Sequence, residues 1–353
     1  MKQFPSPLGD IYLGHTHVGL NELISGLQPS KVFAVVDDHT AKWCLPQIGF
    51  APDITGTITI PSGEHHKTLD SCELIWSSLA AAGADRSTII LNIGGGMVCD
   101  LGGFAACCYQ RGIRFAHIPT SLLAMADASI GGKTGVDFKG FKNYIGRFEA
   151  PAFIWIDPSF LKTLPSQEIK DGLAEVIKHA IIGSPQLWEI LAGADDFEAI
   201  DWNELLQANI PVKKQIVEQD PLERGIRKTL NFGHTIGHAL ESYFLLTATP
   251  LSHGQAITLG MMAESRIARL QGLLLEEDFQ RIIGLIMRWL RPDGVPLPPL
   301  KDLQTWLHGD KKKSAGRVGY SLPSQIGLCV WNIQVEDQTL MESLAWLQTQ
   351  VHP

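Results

Sequence analysis

The chain reads as two domains: an N-terminal α/β domain on a parallel sheet (1–163) and a mostly α-helical C-terminal domain (164–353). Three observations predict this. Short β-branched runs alternate with helical periodicity through the first half, the pattern of parallel strands joined by crossover helices. From Ser166 onward the apolar period is helical. A length of 353 residues also exceeds what a single core usually serves.

Composition narrows the function. Hydrophobic residues make up 45% and charged residues 19%, an ordinary globular balance. A net charge of -8 leaves no basic excess to neutralise phosphates along a strand, so a nucleic-acid partner is not expected. The opening Met1-Lys2-Gln3-Phe4-Pro5 lacks the apolar run of a signal peptide, and no segment reaches the length of a membrane span. The six cysteines (Cys44, Cys72, Cys99, Cys107, Cys108, Cys329) show no paired spacing or CxxC, which suits a reducing compartment. The expectation is a soluble cytoplasmic enzyme.

In chain order, Lys31–Asp37 is a β-branched run ending in a carboxylate, as expected of a buried parallel strand whose end faces a ligand crevice. Thr57–Ile60 is a second strand, followed by the polar loop Pro61-Ser62-Gly63-Glu64-His65-His66-Lys67. Leu69, Cys72, Ile75, Trp76 and Leu79 recur at helical spacing, and Gly83 closes that helix. The strand Thr88–Ile93 runs into Gly94-Gly95-Gly96 and then a helix. Glycines let backbone approach a phosphate, and free N–H groups at the helix start receive its charge. The GxGxxG fingerprint is absent, so the nucleotide-binding reading rests on the strand–glycine–helix order. Phe115–Ile118 is a further strand. Lys133 and Lys142 each lie near glycine and apolar residues, which argues against an exposed position and for holding an anion. Ile154–Asp157 is the last strand, and Pro158–Pro165 links to the second domain.

In the helical half, Ile169, Leu173, Val176, Ile177 and Ala180 mark one helix face, while Asp171, Glu175 and Lys178 share the other. Arg227–His238 reads as one buried helix, on which Arg227, Asn231, His234 and His238 fall at i, i+4, i+7 and i+11, on a single face. Such groups are costly to desolvate unless a metal or an anionic substrate pairs with them. His253 sits where a loop enters a helix. One carboxylate and two imidazoles, from Glu175, His234 and His253, would form a catalytic-zinc donor set, though their long spacings make no motif. The later helices are conventional, apart from the basic loop Asp310-Lys311-Lys312-Lys313 and a strand-like Gly316–Leu322.

The segments GGGMVCDLGGF, YQRG, IPTSLLAMADASIGGKTG, FKNYIG, GLAEVIKH, LNFGHTIGHALE, SHGQA and DKK together resemble the 3-dehydroquinate synthase family, from about Pro61 to Gly327. The resemblance implies an NAD-binding α/β domain, a helical metal-binding domain with the active site between them, a homodimer, and zinc or cobalt. It implies metal ligands Glu175, His234 and His253, and NAD contacts from Asp37, Glu64, Lys67, Gly95, Gly96, Asp100, Thr120, Ser121, Lys133, Lys142 and Thr163. Substrate and phosphate contacts would be Arg111, Asp127, Lys133, Lys142, Asn143, Lys178, Lys213, Arg227, Asn231 and His238, with Lys311 or Lys312 from the basic loop. Lys213 is preferred to Lys214 by counting back from His234. The implied reaction converts 3-deoxy-D-arabino-heptulosonate 7-phosphate to 3-dehydroquinate and phosphate. NAD takes a hydride and later returns it, so there is no net oxidation. Two departures neighbour implied contacts without removing one: Cys99 stands where most members carry glycine, and Ala126-Asp127-Ala128 replaces a more usual Val-Asp-Ser.

Two rivals share this machinery. A related sugar-phosphate cyclase would act on another substrate, such as sedoheptulose 7-phosphate or glucose 6-phosphate. The joint presence of Arg111, Lys213, Arg227 and Asn231 favours the dehydroquinate branch. A metal-dependent polyol dehydrogenase would share the triple glycine and histidine helix but has no need for so many phosphate-holding cations.

Overall fold

A computed structural model describes residues 1–353 except 50–53, 140, 248, 293, 296, 300, 301, 304–312, 315, 316, 352 and 353. The chain forms two compact units, Met1–Ile169 and Lys170–Pro353.

The first unit is built on a seven-stranded sheet. Its strands are β1 (Lys2–Phe4), β2 (Asp10–Leu13), β3 (Val32–Asp37), β4 (Gly56–Ile60), β5 (Ile89–Gly94), β6 (Arg114–Pro119) and, after the hairpin β7 (Lys133–Phe138)–β8 (Phe141–Phe148), β9 (Phe153–Ile156). Their spatial order is β1-β2-β9-β6-β5-β3-β4. Every pairing in the sheet is parallel except β1 with β2. The continuous apolar runs of β3 and β5 are fully explained by this position: both faces are covered, and Val35, Ile89, Ile90 and Leu91 have no exposed surface. Helices α1 (Leu20–Gly26), α2 (Asp38–Trp43), α3 (Leu69–Ala81) and α4 (Gly96–Cys108) complete the unit. Ile75 and Leu79 of α3 and Val98 and Leu101 of α4 join Val35, Ile58, Ile90 and Phe115 in one core. Each such side chain, fully buried, contributes roughly 1.5–3 kcal/mol.

Three features were not read from the sequence. Strands β1 and β2 escaped because they are only three and four residues long. The β7–β8 hairpin escaped because glycines interrupt it and its second strand is mostly exposed. Its outward-facing positions include Lys133 and Lys142, so the expectation that these lysines are sheltered is corrected. The link after β9 is a 3-10 helix, Pro158–Thr163, opened by Asp157 accepting from the Ser159 N–H (2.9 Å).

The second unit is helical: α5 (Ser166–Gly183) followed by α6 (Pro185–Gly193), α7 (Trp202–Gln219), α8 (His234–Phe244), α9 (His253–Leu270), α10 (Glu276–Trp289) and a final helix, Asp337–Val351. The strand-like stretch near Leu322 is the first arm of an antiparallel hairpin, Tyr320–Gln325 with Leu328–Ile333; its second arm was not anticipated. Helix α9 is buried almost all round from Gly254 to Ala268. It is the axis against which α8, α10 and the final helix pack.

Candidate active-site residues and family

In the first unit, the polar residues expected at a nucleotide site gather at the carboxyl ends of adjacent parallel strands. Asp37 ends β3, Gly95 and Gly96 follow β5, Thr120 and Ser121 follow β6, and Glu64 and Lys67 follow β4. Ligands of open α/β sheets bind along this edge. Asp37 caps α2, accepting the Thr40 N–H at 2.7 Å. Helix α4 starts at Gly96 with no side-chain cap, which leaves its first N–H groups available to an anion.

Lys67 organises the edge. It is 3% exposed, and its ammonium donates to Asp100 Oδ2 (2.6 Å) and Asn143 Oδ1 (2.5 Å), with Glu64 at 3.5 Å. Burial alone would lower its pKa, but Asp100 and Glu64 outweigh it and hold the charge in place above the usual lysine range. The Asp137 N–H donates to the Lys67 carbonyl (2.8 Å), and the Asn143 N–H donates to Asp137 Oδ1 (2.7 Å). The hairpin that carries Lys133, Lys142 and Asn143 is thereby tied to the β4–α3 loop. Asn143 has φ 48°, a left-handed conformation that asparagine tolerates. Asp127 lies in a π-helical turn, Ala124–Ala128, and Thr163 closes the 3-10 helix after β9.

Cys99 is buried on α4, its thiol near the Gly94 carbonyl (3.8 Å) and pushed up in pKa by that burial. Arg111 is placed differently from its companions. It is exposed and lies in the 3-10 turn Tyr109–Arg111 beyond the C-terminus of α4. A helix of 13 residues spans about 20 Å, so within this unit Arg111 stands that far from the glycine turn.

In the second unit, Glu175 on α5, His234 at the start of α8 and His253 at the start of α9 converge. Their ligand-type atoms all lie within 4.8 Å of one another. Glu175 Oε1 is 3.1 Å from His253 Nε2 and 3.4 Å from His234 Nε2, while Oε2 pairs with the Lys178 ammonium. The face of α5 bearing Asp171, Glu175 and Lys178 is therefore interior; Glu175 is fully buried and Lys178 is 1% exposed. Burial would raise the Glu175 carboxyl, but Lys178 and His234 hold it well below the usual carboxylate range. Burial also works against an imidazolium at His253, but Glu175 and Glu241 prevail and lift its pKa to about 10. At His234, burial and Lys178 push the pKa down.

The His234 Nδ1 faces the Phe232 carbonyl at 3.1 Å. A carbonyl can only accept, so Nδ1 carries the proton and Nε2 is directed at Glu175. His253 is delivered by the N-terminus of α9. Ser252 caps that helix through a box with Gln255 and donates to Asp171 Oδ1 (2.6 Å). One carboxylate and two imidazole nitrogens at this mutual distance fit a divalent metal, and the fixed tautomer at His234 presents a lone pair to it. The ligand-type atoms of His238, Glu241 and His253 likewise lie within 4.8 Å of one another.

The single helix expected over Arg227–His238 does not form. Ile226–Asn231 is a 3-10 helix, Phe232 is extended, Gly233 turns left-handed at φ 79°, and α8 starts at His234. The cause is close packing. A Cβ on Gly260 would stand 1.9 Å from the Gly233 carbonyl, and one on Gly233 would stand 2.5 Å from Met261 Cγ. The chain turns at Gly233 to let α8 cross α9 at this distance. His234 and His238 keep their i, i+4 relation, with rings 5.1 Å apart. Arg227 is 2% exposed and donates to the Pro221 carbonyl (2.6 Å), and Asn231 donates to Glu223 Oε1 (2.8 Å). Lys213 is 7% exposed on α7, which packs against the 226–231 turn. Lys311 and Lys312 fall outside the described residues.

Sequence reasoning missed Glu223, Glu241, Glu264 and the anchoring role of Asp171. Glu264 carried a signal, being an acid directly after the uncharged stretch Ala256–Ala263 of α9.

Fold and cluster define a class: a chain with one parallel-sheet α/β unit and one helical unit bearing a Glu–His–His cluster able to hold a divalent metal. The chain belongs to the 3-dehydroquinate synthase family. The family's N-terminal model matches residues 57–171 and its C-terminal model residues 172–313. The 3-dehydroquinate synthase of Parabacteroides distasonis is 37% identical over 333 residues, covering 92% of this chain and 93% of that protein. That of Synechocystis sp. is 40% identical over 293 residues, covering 81% and 80%. Among solved structures, 2-epi-5-epi-valiolone synthase from Streptomyces hygroscopicus subsp. jinggangensis, with NAD+ and Zn2+ bound, is 25% identical with a TM-score of 0.85 over 99% of both chains. A probable glycerol dehydrogenase from Sinorhizobium meliloti shares the fold, with a TM-score of 0.64 at 12% identity over 99% of this chain and 98% of that one.

Proposed function

We propose that this chain converts 3-deoxy-D-arabino-heptulosonate 7-phosphate to 3-dehydroquinate and phosphate, using catalytic NAD and a divalent metal, zinc or cobalt. The observation that carries this reading is the Glu175–His234–His253 set in a unit that also buries the cations Lys178, Lys213 and Arg227. A dehydrogenase acting on an uncharged polyol has no use for three sheltered cations; a phosphate ester does.

In this reading the first unit binds NAD through Asp37, Glu64, Lys67, Gly95, Gly96, Asp100, Thr120, Ser121 and Thr163, with its pyrophosphate at the start of α4. Glu175, His234 and His253 hold the metal. When bound, NAD carries the hydride and the metal lowers the pKa of the hydroxyl being oxidised. The remaining work falls to side chains. Lys178, Lys213, Arg227 and His238 orient the dianionic phosphate and stabilise it as it departs. Lys178 also keeps Glu175 ionised, as its lowered pKa requires. Asn231, held by Glu223, presents its amide carbonyl to substrate hydroxyls. Asp127, Lys133, Lys142, Asn143 and Arg111 complete the substrate contacts, and Lys312 does so from the basic loop. The protein acts as a cytoplasmic homodimer. No helix among the described residues is long and apolar enough to cross a membrane.

The test is a paired assay on protein supplied with zinc and NAD. Phosphate is expected to appear from the heptulosonate phosphate while NADH does not accumulate. Steady NADH accumulation would instead identify a dehydrogenase, and phosphate release only from sedoheptulose 7-phosphate or glucose 6-phosphate would identify a sister cyclase.

A further inference from the structure

We propose that Glu264 and Glu241 form a reciprocal brace between α8 and α9, each helix supplying one metal ligand at its first residue and one buried carboxylate that positions the other helix's ligand. The proposal rests on the metal reading above.

Glu264, on α9, has no exposed surface and accepts the Gly233 N–H (2.6 Å) and the Ile236 N–H (3.0 Å), which bracket His234 and Thr235. Glu241, on α8, is 4% exposed and places Oε1 3.7 Å from His253 Nδ1, on the opposite side of the ring from Glu175. The two carboxylates are thus exchanged across one helix pair.

A plain structural cap would be simpler to build. Helices α3, α6, α7 and α9 are each capped by the side chain of their own N-cap residue, Thr68, Ser184, Asp201 and Ser252. Helix α8 has glycine there and no side-chain cap. Its first N–H groups are served from the interior of another helix, 28 and 31 residues away in sequence. Burying a carboxylate for this purpose is expensive, and an apolar residue with a local serine cap would do the same structural task. What the distant carboxylate adds is a fixed relation between the turn at Gly233 and α9. The His234 ring depends on that turn, because its Nδ1–H donates to the Phe232 carbonyl within it. Glu241 faces the His253 ring from the side opposite Glu175, as an ion-pair partner 3.7 Å from Nδ1 that favours the ring orientation with Nε2 toward Glu175. Glu241 and Glu264 are positioning residues in this scheme and touch neither substrate nor cofactor.

The test measures metal rather than turnover. Glu264→Gln and Glu241→Gln are titrated with Co2+ and Zn2+ against a competing chelator, the Co2+ absorption spectrum is recorded, and thermal midpoints are measured. His234→Ala serves as the ligand-loss reference. Ser184→Ala, which removes the cap of α6, serves as the stability reference. Each Gln variant is expected to weaken metal binding about tenfold to a hundredfold and to alter the Co2+ spectrum, whereas Ser184→Ala loses stability alone. The double variant should lose less than the product of the single losses, since both act on one site. Glu241→Gln, inside its helix, keeps the test open if Glu264→Gln does not fold. Wild-type metal affinity and spectrum in the Gln variants, with His234→Ala metal-free, would overturn the brace and leave the ligand reading intact. Metal retained by His234→Ala but lost from Glu241→Gln would place the ion on His238, Glu241 and His253 and overturn both.

Discussion

The polar edge of the first unit and the histidine cluster of the second are built by opposite means. The first is made of loops at the ends of neighbouring parallel strands, and its charges are already matched: Lys67 between Asp100, Glu64 and Asn143. The second is made of helix ends. It concentrates one carboxylate, one ammonium and two imidazoles into a space a few ångströms across, with Glu175 as the shared counter-charge. A self-matched edge can bind and release a cofactor with little rearrangement of its own. A cluster whose ammonium and both imidazoles share Glu175 is organised around that carboxylate and fails if it is removed.

The largest expected effect tests that dependence. Glu175→Ala should abolish metal binding and destabilise the protein by about 3–5 kcal/mol, because the buried Lys178 ammonium loses this counter-charge. His234→Ala should lose metal as well, whereas His238→Ala keeps it and turns over slowly. Metal analysis and denaturant unfolding read both quantities. Equal metal depletion in the two histidine variants would break the asymmetry assigned to them.

The same contrast explains what could be read from the sequence. The strand–glycine–helix order around Gly94–Gly96 is local, so β5, the turn and α4 were legible, as were β3, β4 and α3. Glu175, His234 and His253 are separated by 59 and 19 residues, and no periodicity connects them. They were assembled from donor chemistry and family resemblance. The break at Phe232–Gly233 was illegible because its cause lies in Gly260 on another helix. A helical period across Arg227–His238 was present, and tertiary contact overrode it. Glu264 stood out as an acid beside an uncharged stretch, but its role was illegible because its partners are backbone N–H groups, which have no sequence signature.

A middle-sized effect sharpens the matched edge. Lys67→Ala should weaken NAD binding about tenfold, equivalent to ~1.4 kcal/mol, and leave metal stoichiometry unchanged. Titration of NAD by protein fluorescence, alongside metal analysis, separates the two. Loss of metal in this variant would show that the edge and the cluster are not independent, and unchanged NAD affinity would remove Lys67 from the nucleotide site.

The smallest effect concerns a group in the first unit that neither site uses. His117 on β6 is 2% exposed, with Nδ1 at 3.3 Å from Asn92 Nδ2 on β5. The amide nitrogen can only donate, so Nδ1 accepts and the ring is neutral. Burial pushes its pKa down to about 3. An unfolded chain protonates this histidine near pH 6.5, while the folded chain does not until about pH 3. Between those values the unfolded state binds the extra proton, so stability falls as pH falls, by up to about 1.4 kcal/mol per pH unit. His117→Asn keeps an acceptor toward Asn92 and cannot titrate. Its stability should therefore decline less steeply than wild type between pH 6.5 and 5, by about 1.6 kcal/mol over that interval. Urea unfolding at several pH values measures the difference. Parallel acid limbs in the two proteins would mean that the sheet opens to protonate His117 more readily than its burial indicates.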